Sequence, residues 1–375
     1  MRTNSLNKAL SIYIHIPFCK RKCNYCAFSS FCAESSLVDK YLNLLCKEIV
    51  DRKTSRPIKT IYIGGGTPTI LNENQITLIV ETLRKNYDLS KVEEFTIEAN
   101  PNSISLRLLE TYKSLGINRL SVGVQTLSDT ALEKIGRLHT ANEAIEKIRL
   151  AKTIFENISA DLIIGLENQS GKEVCQYAKK LIDAGVKHIS CYLLEIYENT
   201  PLYLQIESGK YKPLDDEKTI EVFSELAESL KGYGLKRYEI SNFASEGCES
   251  KHNLNYWQRG EYFGFGLSAH SFVGKNRIKN SDNFDDYERG EQEIEELSEK
   301  EEIEENVMLG LRCDIGVNLR ALKKYSYDLS ENGYFKEYCK QGILQVEQSA
   351  NGIIIKLNPK FYHLSNTIIS NLLPD

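Results

Sequence analysis

Three closely spaced cysteines are the residues of this chain best suited to do chemistry. Cys19, Cys23 and Cys26 form a CxxxCxxC triplet directly after an apolar run. Three thiolates on one short loop can bind three irons of a [4Fe–4S] cube, which leaves the fourth iron without a protein ligand. A structural zinc ion needs four ligands, and Cys32 and His15 lie near enough in sequence to keep zinc open as the alternative. The triplet favours the iron–sulfur cluster.

Glycines and carboxylates at the ends of predicted strands could bind a ligand beside that cluster. The glycines of Gly64–Thr67 let backbone groups approach a charged ligand where any Cβ would obstruct, although a tight turn would also require them. No GK[ST] or GxGxxG motif is present, so neither an ATP site nor an NAD site is expected. Glu98 and Asp161 lie on strands predicted to be buried and therefore need a partner. That partner could be a ligand's ammonium or ribose hydroxyls, or Arg137 in a structural ion pair.

A histidine followed by two aromatic residues forms a second candidate site. The run is His252-Asn253-Leu254-Asn255-Tyr256-Trp257, and Trp257 is the only tryptophan of the chain. Imidazole is a common axial ligand of haem iron, and tyrosine and tryptophan faces suit a flat macrocycle. The open alternative is a histidine that is hydrogen-bonded beside aromatic core residues. His270, in a glycine-rich segment, is a further imidazole candidate.

Alternating strands and helices are predicted to position these residues. Apolar, β-rich runs predict six strands, at 11–18, 60–66, 93–100, 119–125, 158–166 and 188–196. Helical spacing of apolar residues predicts intervening helices, among them 37–51, 74–84 and 171–185. This rhythm is typical of a mainly parallel sheet in an α/β fold, either an open doubly wound sheet or an incomplete (β/α) barrel. In both, functional residues gather at the carboxyl ends of the strands.

The last third of the chain has a different pattern. Residues 282–305 carry 13 acidic residues against two basic ones, which indicates a solvated linker or helix face. Helices are predicted over 303–325 and 332–340, and a last helix near 359–373. A hairpin is predicted from 343–347 and 352–357, with Asn351-Gly352 at its turn. Helices followed by a two-stranded wing are typical of a winged-helix-like domain.

Composition excludes several classes of protein. Hydrophobic residues make up 41% and charged residues 26%, enough for a sizeable core. A net charge of −5 without a concentrated basic face argues against a nucleic-acid partner. No apolar run reaches the roughly 18 residues of a membrane span, and the N-terminus lacks a secretory signal. We therefore expect a cytoplasmic protein with reduced cysteines and no integral membrane segment.

The segment around the cysteines resembles a known superfamily. His-Ile-Pro-Phe-Cys-Lys-Arg-Lys-Cys-Asn-Tyr-Cys-Ala-Phe, at 15–28, is similar to the cluster loop of the radical S-adenosylmethionine (SAM) proteins, in which the open iron chelates SAM. The leading His-Ile-Pro-Phe-Cys narrows the resemblance to oxygen-independent coproporphyrinogen III oxidase and the related HemW-type haem chaperones. The resemblance covers nearly the whole chain and continues through GGGTPT, EANP, RLSVGVQ, GRLH, DLIIGL, YEISNFA, HNLNYW, GFGLSAHS and LGLR.

The resemblance implies a fold and a set of binding residues. It implies a partial (β/α)6 TIM-like barrel of radical SAM type over 1–285 and a small C-terminal helical, winged-helix-like domain over 286–375. It makes Cys19, Cys23 and Cys26 the cluster ligands. The positions that match SAM-contacting residues of the family are Tyr13, Gly65, Gly66, Thr67, Glu98, Gln125, Arg137 and Asp161.

The family contains decarboxylating oxidases and haem carriers, and two features favour a carrier. The oxidases resemble CxxxCxxCxC, whereas Phe28 stands at the last cysteine position here, and only 18 residues precede Cys19. His252, Asn253, Tyr256 and Trp257 match the HNxxYW signature of the chaperone branch. We therefore predict a haem chaperone of porphyrin metabolism with a [4Fe–4S] cluster and SAM. The alternative is coproporphyrinogen III oxidase.

The same resemblance predicts the partners. These are haem itself, an acceptor haemoprotein and an electron donor such as flavodoxin or ferredoxin, with the chain acting as a monomer or a homodimer. No residue is assigned a catalytic role, because a chaperone need not turn over a substrate.

Overall fold

The computed structural model describes residues 9–32, 34–350 and 352–374. Its strands are β1 Leu10–Ile16, β2 Phe18–Cys19, β3 Phe31–Cys32, β4 Ile58–Gly65, β5 Glu94–Ala99, β6 Arg119–Gln125, β7 Asn157–Ile164, β8 His188–Leu193, β9 Lys236–Arg237, β10 Asn242–Ala244, β11 Tyr262–Phe265, β12 His270–Val273, β13 Asn276–Asn280, β14 Gln292–Glu296, β15 Val317–Asn318, β16 Leu344–Ser349 and β17 Gly352–Leu357. Its α-helices are α1 Ser35–Asp51, α2 Glu73–Asn86, α3 Leu106–Ser114, α4 Asp129–Lys134, α5 Ala141–Lys152, α6 Gly171–Asp183, α7 Pro201–Glu207, α8 Asp216–Gly232, α9 Lys251–Trp257, α10 Phe284–Glu288, α11 Glu299–Leu311, α12 Leu319–Leu322, α13 Gly333–Lys340 and α14 Ser365–Leu372.

The six predicted strands lie side by side in the order in which the chain forms them. β1, β4, β5, β6, β7 and β8 are consecutive parallel neighbours. A doubly wound sheet reverses its strand order part-way, whereas the order of these six strands does not reverse, so the barrel alternative is the one observed. Among the described residues the two edge strands, β14 and β9, are not hydrogen-bonded to each other. The barrel is therefore partial, as predicted.

Local sequence explains why these elements form. β6 is buried along almost its whole length, as expected for a strand covered on both faces. α2 begins with a capping box in which Asn72 and Gln75 satisfy each other's backbone N–H groups, and α5 begins with the equivalent pair Thr140 and Glu143. These helices present buried aliphatic stripes to the sheet, and strands and helices share one continuous apolar core.

The region between 200 and 300 contains strands that the sequence pattern did not predict. β11 is a seventh parallel strand and pairs with the outer edge of β1. β12, β13 and β14 follow it as an antiparallel meander. β14 lies inside the acidic run, and all five of its residues are exposed, which is a usual way to protect a sheet edge. The main sheet thus extends beyond residue 285, and the predicted domain boundary there stays a prediction.

The C-terminal segment has its own apolar cluster, which includes Ile303, Val307, Leu322, Ile355 and Leu372. The predicted hairpin is confirmed by antiparallel pairing of β16 with β17, and β15 adds a short third strand. Asn351, predicted at the hairpin turn, lies outside the described residues.

The prediction of one helix over 303–325 is wrong, because α11 ends at Leu311. Gly316 has a φ of +74°, and a Cβ there would lie 2.6 Å from the carbonyl oxygen of Ile355. The chain must therefore turn at this glycine and pair with β17. Among the described residues, no helix is both long and apolar enough to cross a membrane.

Candidate functional site

A cavity of about 1750 Å³ lies at the carboxyl ends of the parallel strands and continues along the open side of the barrel. Most of the residues predicted from the sequence to bind a ligand line it. They are Cys19, Cys23, Cys26, Gly65, Gly66, Thr67, Glu98, Gln125, Arg137, Asp161 and Trp257. The strand-end rule for parallel sheets explains most of this convergence, although Asp161 lies within β7 and Trp257 ends the helix α9. Tyr13, His252, Asn253 and Tyr256 are not part of the cavity wall.

Of the three thiols, that of Cys19 stands at the end of β2, and those of Cys23 and Cys26 stand on the loop that follows. Cys19 is buried, while Cys23 and Cys26 are partly exposed. Burial is the main cause that raises the pKa of Cys19 and of Cys26, and charge on neighbouring thiols adds to it in both. Thiolates next to one another are therefore unfavourable without a bound cation, and metal binding displaces those protons. This set of soft sulfur donors fits an iron–sulfur cluster.

Two neighbours are placed to stabilise negative charge on these sulfurs. Thr67 donates a hydrogen bond from Oγ1 to Cys19 Sγ at 3.4 Å. Arg137 donates from Nη1 to Cys23 Sγ, also at 3.4 Å. In the described residues no three His, Cys, Asp or Glu side chains already stand in a metal-binding arrangement, so ligation of the cluster by the triplet stays a prediction.

His15 and Cys32, the two further residues that a zinc site could recruit, are hydrogen-bonded to other parts of the chain. His15 is buried, its Nδ1 lies 2.9 Å from Tyr13 Oη, and its Nε2 lies 3.2 Å from the carbonyl oxygen of Ser29. Cys32 is exposed, and its thiol donates to the carbonyl oxygen of Lys20 at 3.8 Å. Neither side chain lines the cavity. The arrangement therefore favours three cysteine ligands over a four-ligand zinc site.

The glycine loop after β4 packs tightly on the cysteine loop. Gly65 has a φ of +114°, and a Cβ there would lie 2.6 Å from Cε1 of His15. At Gly66 a Cβ would lie 2.7 Å from the carbonyl oxygen of Phe18 and 3.0 Å from Cys19 Sγ. Both glycines are thus required by the chain's own neighbours, whatever ligand the loop also approaches.

Replacing Gly66 by alanine is expected to lower the free energy of unfolding by about 1–3 kcal/mol, because backbone at Phe18 and the Cys19 thiol must both move. Gly232, at the end of α8, is the matched control, since a Cβ there meets nothing within 4 Å. Gly232→Ala should be neutral or slightly stabilising. Thermal unfolding of the two variants measures the difference. Equal midpoints would mean that the two loops are not packed as described.

Two carboxylates form the inner wall of the cavity. Glu98 accepts hydrogen bonds from Tyr62 Oη at 2.7 Å and from the backbone N–H of Gly65 at 3.1 Å. Burial is the main cause that raises the pKa of Glu98 to about 7. Burial also raises the pKa of Asp161, whose Oδ1 lies 3.4 Å from Ser121 Oγ. A positively charged or hydroxyl-bearing ligand would offset this cost of burial.

Arg137 is not the ion-pair partner of these carboxylates. Besides Cys23, its guanidinium donates to Asn100 Oδ1 at 2.7 Å and to the carbonyl oxygen of Gly123. The structural ion pair considered from the sequence is therefore not observed. Gln125 stands nearby at the end of β6 with a φ of +69°, a strained conformation of the kind that clusters at functional sites.

The signature residues of α9 occupy two different environments. His252 is buried, with Nδ1 2.8 Å from Thr60 Oγ1 and Nε2 2.9 Å from Tyr256 Oη. Burial lowers the pKa of His252 to about 3. Both ring nitrogens are thus hydrogen-bonded beside aromatic residues, which is the alternative left open by the sequence. Asn253 donates its backbone N–H to Ser250 Oγ at 3.3 Å, and only Trp257 reaches the cavity.

Tyr13 lies behind the cavity wall rather than in it. Its hydroxyl is bonded to His15, and its ring stacks on Tyr62 with centroids 6.2 Å apart. Because Tyr62 in turn donates to Glu98, Tyr13 supports the carboxylate from the second layer. The predicted SAM contact of Tyr13 stays a prediction.

Sequence reasoning missed a buried polar network under the cavity. Glu94 accepts from the backbone N–H groups of Lys251 at 2.8 Å and His252 at 3.1 Å, and from Ser250 Oγ at 3.4 Å. It thereby caps the N-terminus of α9. Burial would lower the pKa of Arg119, but charges led by Glu94 raise it overall. The only signal of this network in the sequence was a charged first residue on two neighbouring strands, Glu94 on β5 and Arg119 on β6.

The chain is similar in sequence to known proteins. The Radical SAM superfamily matches residues 13–181. The chain is 38% identical over 359 residues to the heme chaperone HemW of Bacillus subtilis, which covers 91% of this chain and 94% of that protein. It is 32% identical over 379 residues to the heme chaperone HemW of Lactococcus lactis, with 99% of each chain covered.

A solved structure has the same fold. Coproporphyrinogen III oxidase (HemN) from Escherichia coli, a radical SAM enzyme, superposes with a TM-score of 0.82 over 98% of this chain and 90% of that one. The two sequences are 22% identical, so this likeness concerns the fold alone.

Proposed function

Because this chain belongs to the radical SAM superfamily and, within it, to the HemW haem chaperones, we propose that it binds haem and a SAM-ligated [4Fe–4S] cluster and transfers the haem to an acceptor haemoprotein. The observation that carries the proposal is the 38% identity to a heme chaperone over almost the full length of both chains. The cavity supports it, because 1750 Å³ exceeds the roughly 300–1,000 Å³ of an ordinary small-molecule site.

In this proposal Cys19, Cys23 and Cys26 hold the cluster, and Gly65, Gly66, Thr67, Glu98, Gln125, Arg137 and Asp161 surround SAM. The chemistry that such a pair supplies when bound is one-electron reduction of SAM. The chain's own contribution is electrostatic: Arg137 and Thr67 donate hydrogen bonds to the sulfurs, and the buried carboxylates accept them from the ligand.

The affinity of the reconstituted chain for SAM is expected to depend on pH through Glu98. Since the pKa of Glu98 is raised to about 7, the accepting carboxylate is present above pH 7 and is lost as the pH falls through that value. At pH 6 about one-tenth of it is ionised, so SAM should bind about tenfold more weakly at pH 6 than at pH 8. Equilibrium dialysis at the two pH values measures this.

Glu98→Gln is the control, because a neutral amide cannot titrate. Its affinity for SAM should be low and equal at the two pH values. A variant that keeps the pH dependence of the parent would assign the effect to another group, such as Asp161.

An exposed phenyl group distinguishes this cavity from that of the alternative oxidase. Phe28 stands where the oxidases are expected to carry a further cysteine, is 68% exposed and lines the cavity. An apolar ring in that place offers a surface to a tetrapyrrole and cannot serve as a ligand or a redox group. We therefore prefer haem binding to porphyrinogen decarboxylation.

One anaerobic preparation tests both functions. The reconstituted chain is titrated with haemin and followed at the Soret band, and a second portion receives coproporphyrinogen III, SAM and reductant. We expect saturable haemin binding and no protoporphyrinogen IX. Formation of protoporphyrinogen IX would establish the oxidase instead.

Transfer is tested by mixing the haem-loaded chain with rising concentrations of an apo-haemoprotein. A rate that increases with acceptor concentration indicates direct transfer, whereas a constant rate indicates passive release of haem. We further propose that the protein works in the cytoplasm and receives electrons from a carrier of the flavodoxin or ferredoxin class, as a monomer or a homodimer. Its ten free cysteines suit a reducing compartment.

A further inference from the structure

The cavity has a second part that neither the cluster loop nor the SAM residues occupy. This lateral lobe is defined by the lining residues of 220–243, by Trp257, Arg312 and Asp314, and by the lining residues of 358–366. It lies between α8, the β9–β10 edge of the sheet and the segment before α14. The lobe exists because the barrel is open at that edge.

Aromatic rings and a partly buried cation form one wall of the lateral lobe. The guanidinium carbon of Arg237 lies 4.7 Å from the ring centroid of Phe223, 5.6 Å from that of Phe243 and 4.5 Å from that of Tyr362. Burial lowers the pKa of Arg237 to about 10. Phe243 and Tyr362 are themselves buried, so the ring surfaces that the lobe offers to a macrocycle are those of the partly exposed Phe223 and Trp257.

The same lobe is positively charged. Its wall carries five basic residues, Lys231, Lys236, Arg237, Arg312 and Lys360, against the acidic Glu228 and Asp314. Nη2 of Arg312 donates to Asn366 Oδ1 at 2.6 Å, while Nε of Arg312 is buried and has no hydrogen-bond partner within the described ranges. A buried donor without a partner favours an anionic ligand, and a carboxylate satisfies a guanidinium best.

One histidine of the lobe is available to a metal ion. His363 is exposed, lines the cavity and has no hydrogen-bond partner among the described residues. His15, His139, His188 and His252 are buried with ring nitrogens bonded, and His270 is exposed but lies outside the cavity wall. Cys191 also lines the cavity, but its thiol would bind the haem iron less readily than His363, since burial raises the pKa of the thiol and keeps it protonated.

We propose that haem binds in the lateral lobe, with its propionates on Arg312 and the neighbouring lysines and with His363, rather than His252, as the axial ligand of the iron. This inference rests on the proposed haem-carrier function and names its site. An axial histidine at the exposed rim of the cavity suits a haem that is passed on to another protein, because an acceptor can reach the iron and replace the imidazole. The cluster end of the cavity stays free for SAM.

The axial ligand is tested by haemin titration of the reconstituted parent chain and of His363→Ala, His252→Ala and His270→Ala. His363→Ala should raise the dissociation constant about tenfold or more and shift the Soret band, and added imidazole should restore the band of the parent. His270→Ala, an exposed histidine outside the lobe, should match the parent. His252→Ala should keep the Soret wavelength of the parent.

The propionate contacts are tested with haemin and its dimethyl ester, which has no free carboxylates. Arg312→Gln should weaken haemin binding several-fold and leave binding of the ester unchanged. Arg320→Gln is the control and should bind both like the parent, because Arg320 is exposed and lies outside the cavity wall. Equal effects on haemin and ester would remove Arg312 from the site.

The outcomes separate the inference from the function on which it rests. If the parent binds no haemin, both fail. If the parent binds haemin but His363→Ala behaves like His270→Ala, or if only His252→Ala shifts the Soret band, the lateral site is wrong and the carrier function stands.

Discussion

Replacing any one of Cys19, Cys23 or Cys26 by alanine is expected to abolish the iron–sulfur cluster, while Cys32→Ala keeps about four irons per chain. With two remaining thiolates the loop cannot bind three irons of the cube. Cys32 is the matched control, because it pairs across from Cys19 in the β2–β3 ladder yet is exposed and outside the cavity. Iron and sulfide analysis after anaerobic reconstitution, with the absorbance near 400 nm, measures the difference.

The same four variants distinguish an iron–sulfur cluster from a zinc site. A four-ligand zinc site that recruits Cys32 would lose its metal in all four variants, and the parent would be colourless. Loss of iron in Cys32→Ala, or a parent that binds zinc without sulfide, would contradict the cluster assignment.

Glu94→Gln is expected to lower the free energy of unfolding by about 1–3 kcal/mol, because it removes the leading charge that faces the buried Arg119 and weakens the hydrogen bonds from the backbone N–H groups of α9. Arg119 is only 2% exposed, and Glu94 is the leading charge that stabilises its protonated form. The same carboxylate caps α9, so Trp257, at the end of that helix, should also lose its fixed position at the cavity. Denaturant unfolding followed by tryptophan fluorescence reports both effects.

Glu93→Gln is the control for Glu94. Glu93 pairs with Lys251 at 2.7 Å on the surface and contacts the same first turn of α9, and a pair of that kind contributes less than about 1 kcal/mol. A loss as large as that of Glu94→Gln would show that surface pairing, rather than the buried network, holds the helix.

Six of the parallel strands were predictable because each is a short apolar run and because helices with clear buried stripes, such as α1, α2 and α6, separate them. The chemistry at their carboxyl ends was predictable for the same reason, since Cys19, Glu98 and Gln125 follow or end such runs. β11 escaped prediction because it is only four residues long and lies in a segment of mixed composition. Its place beside β1 depends on a contact that spans about 250 residues of chain.

The environment of His252 shows what residue patterns cannot decide. A histidine beside tyrosine and tryptophan suits both a haem ligand and a buried hydrogen-bonding group, and only the contacts with Thr60 and Tyr256 distinguish them. The lateral lobe could not be predicted from the sequence either, because Phe223, Arg312 and His363 come from elements far apart in sequence. Their convergence depends on how the C-terminal segment packs against the open edge of the barrel.

In this proposal one chain holds an iron–sulfur cluster and a haem at the same time, in separate parts of one cavity. The decisive measurement is the amount of iron, acid-labile sulfide and haem after gel filtration of the anaerobically reconstituted, haemin-treated chain. We predict about five irons, four sulfides and one haem per chain. Haem that appears only in chains without sulfide, or that is lost on the column while the cluster stays, would contradict it.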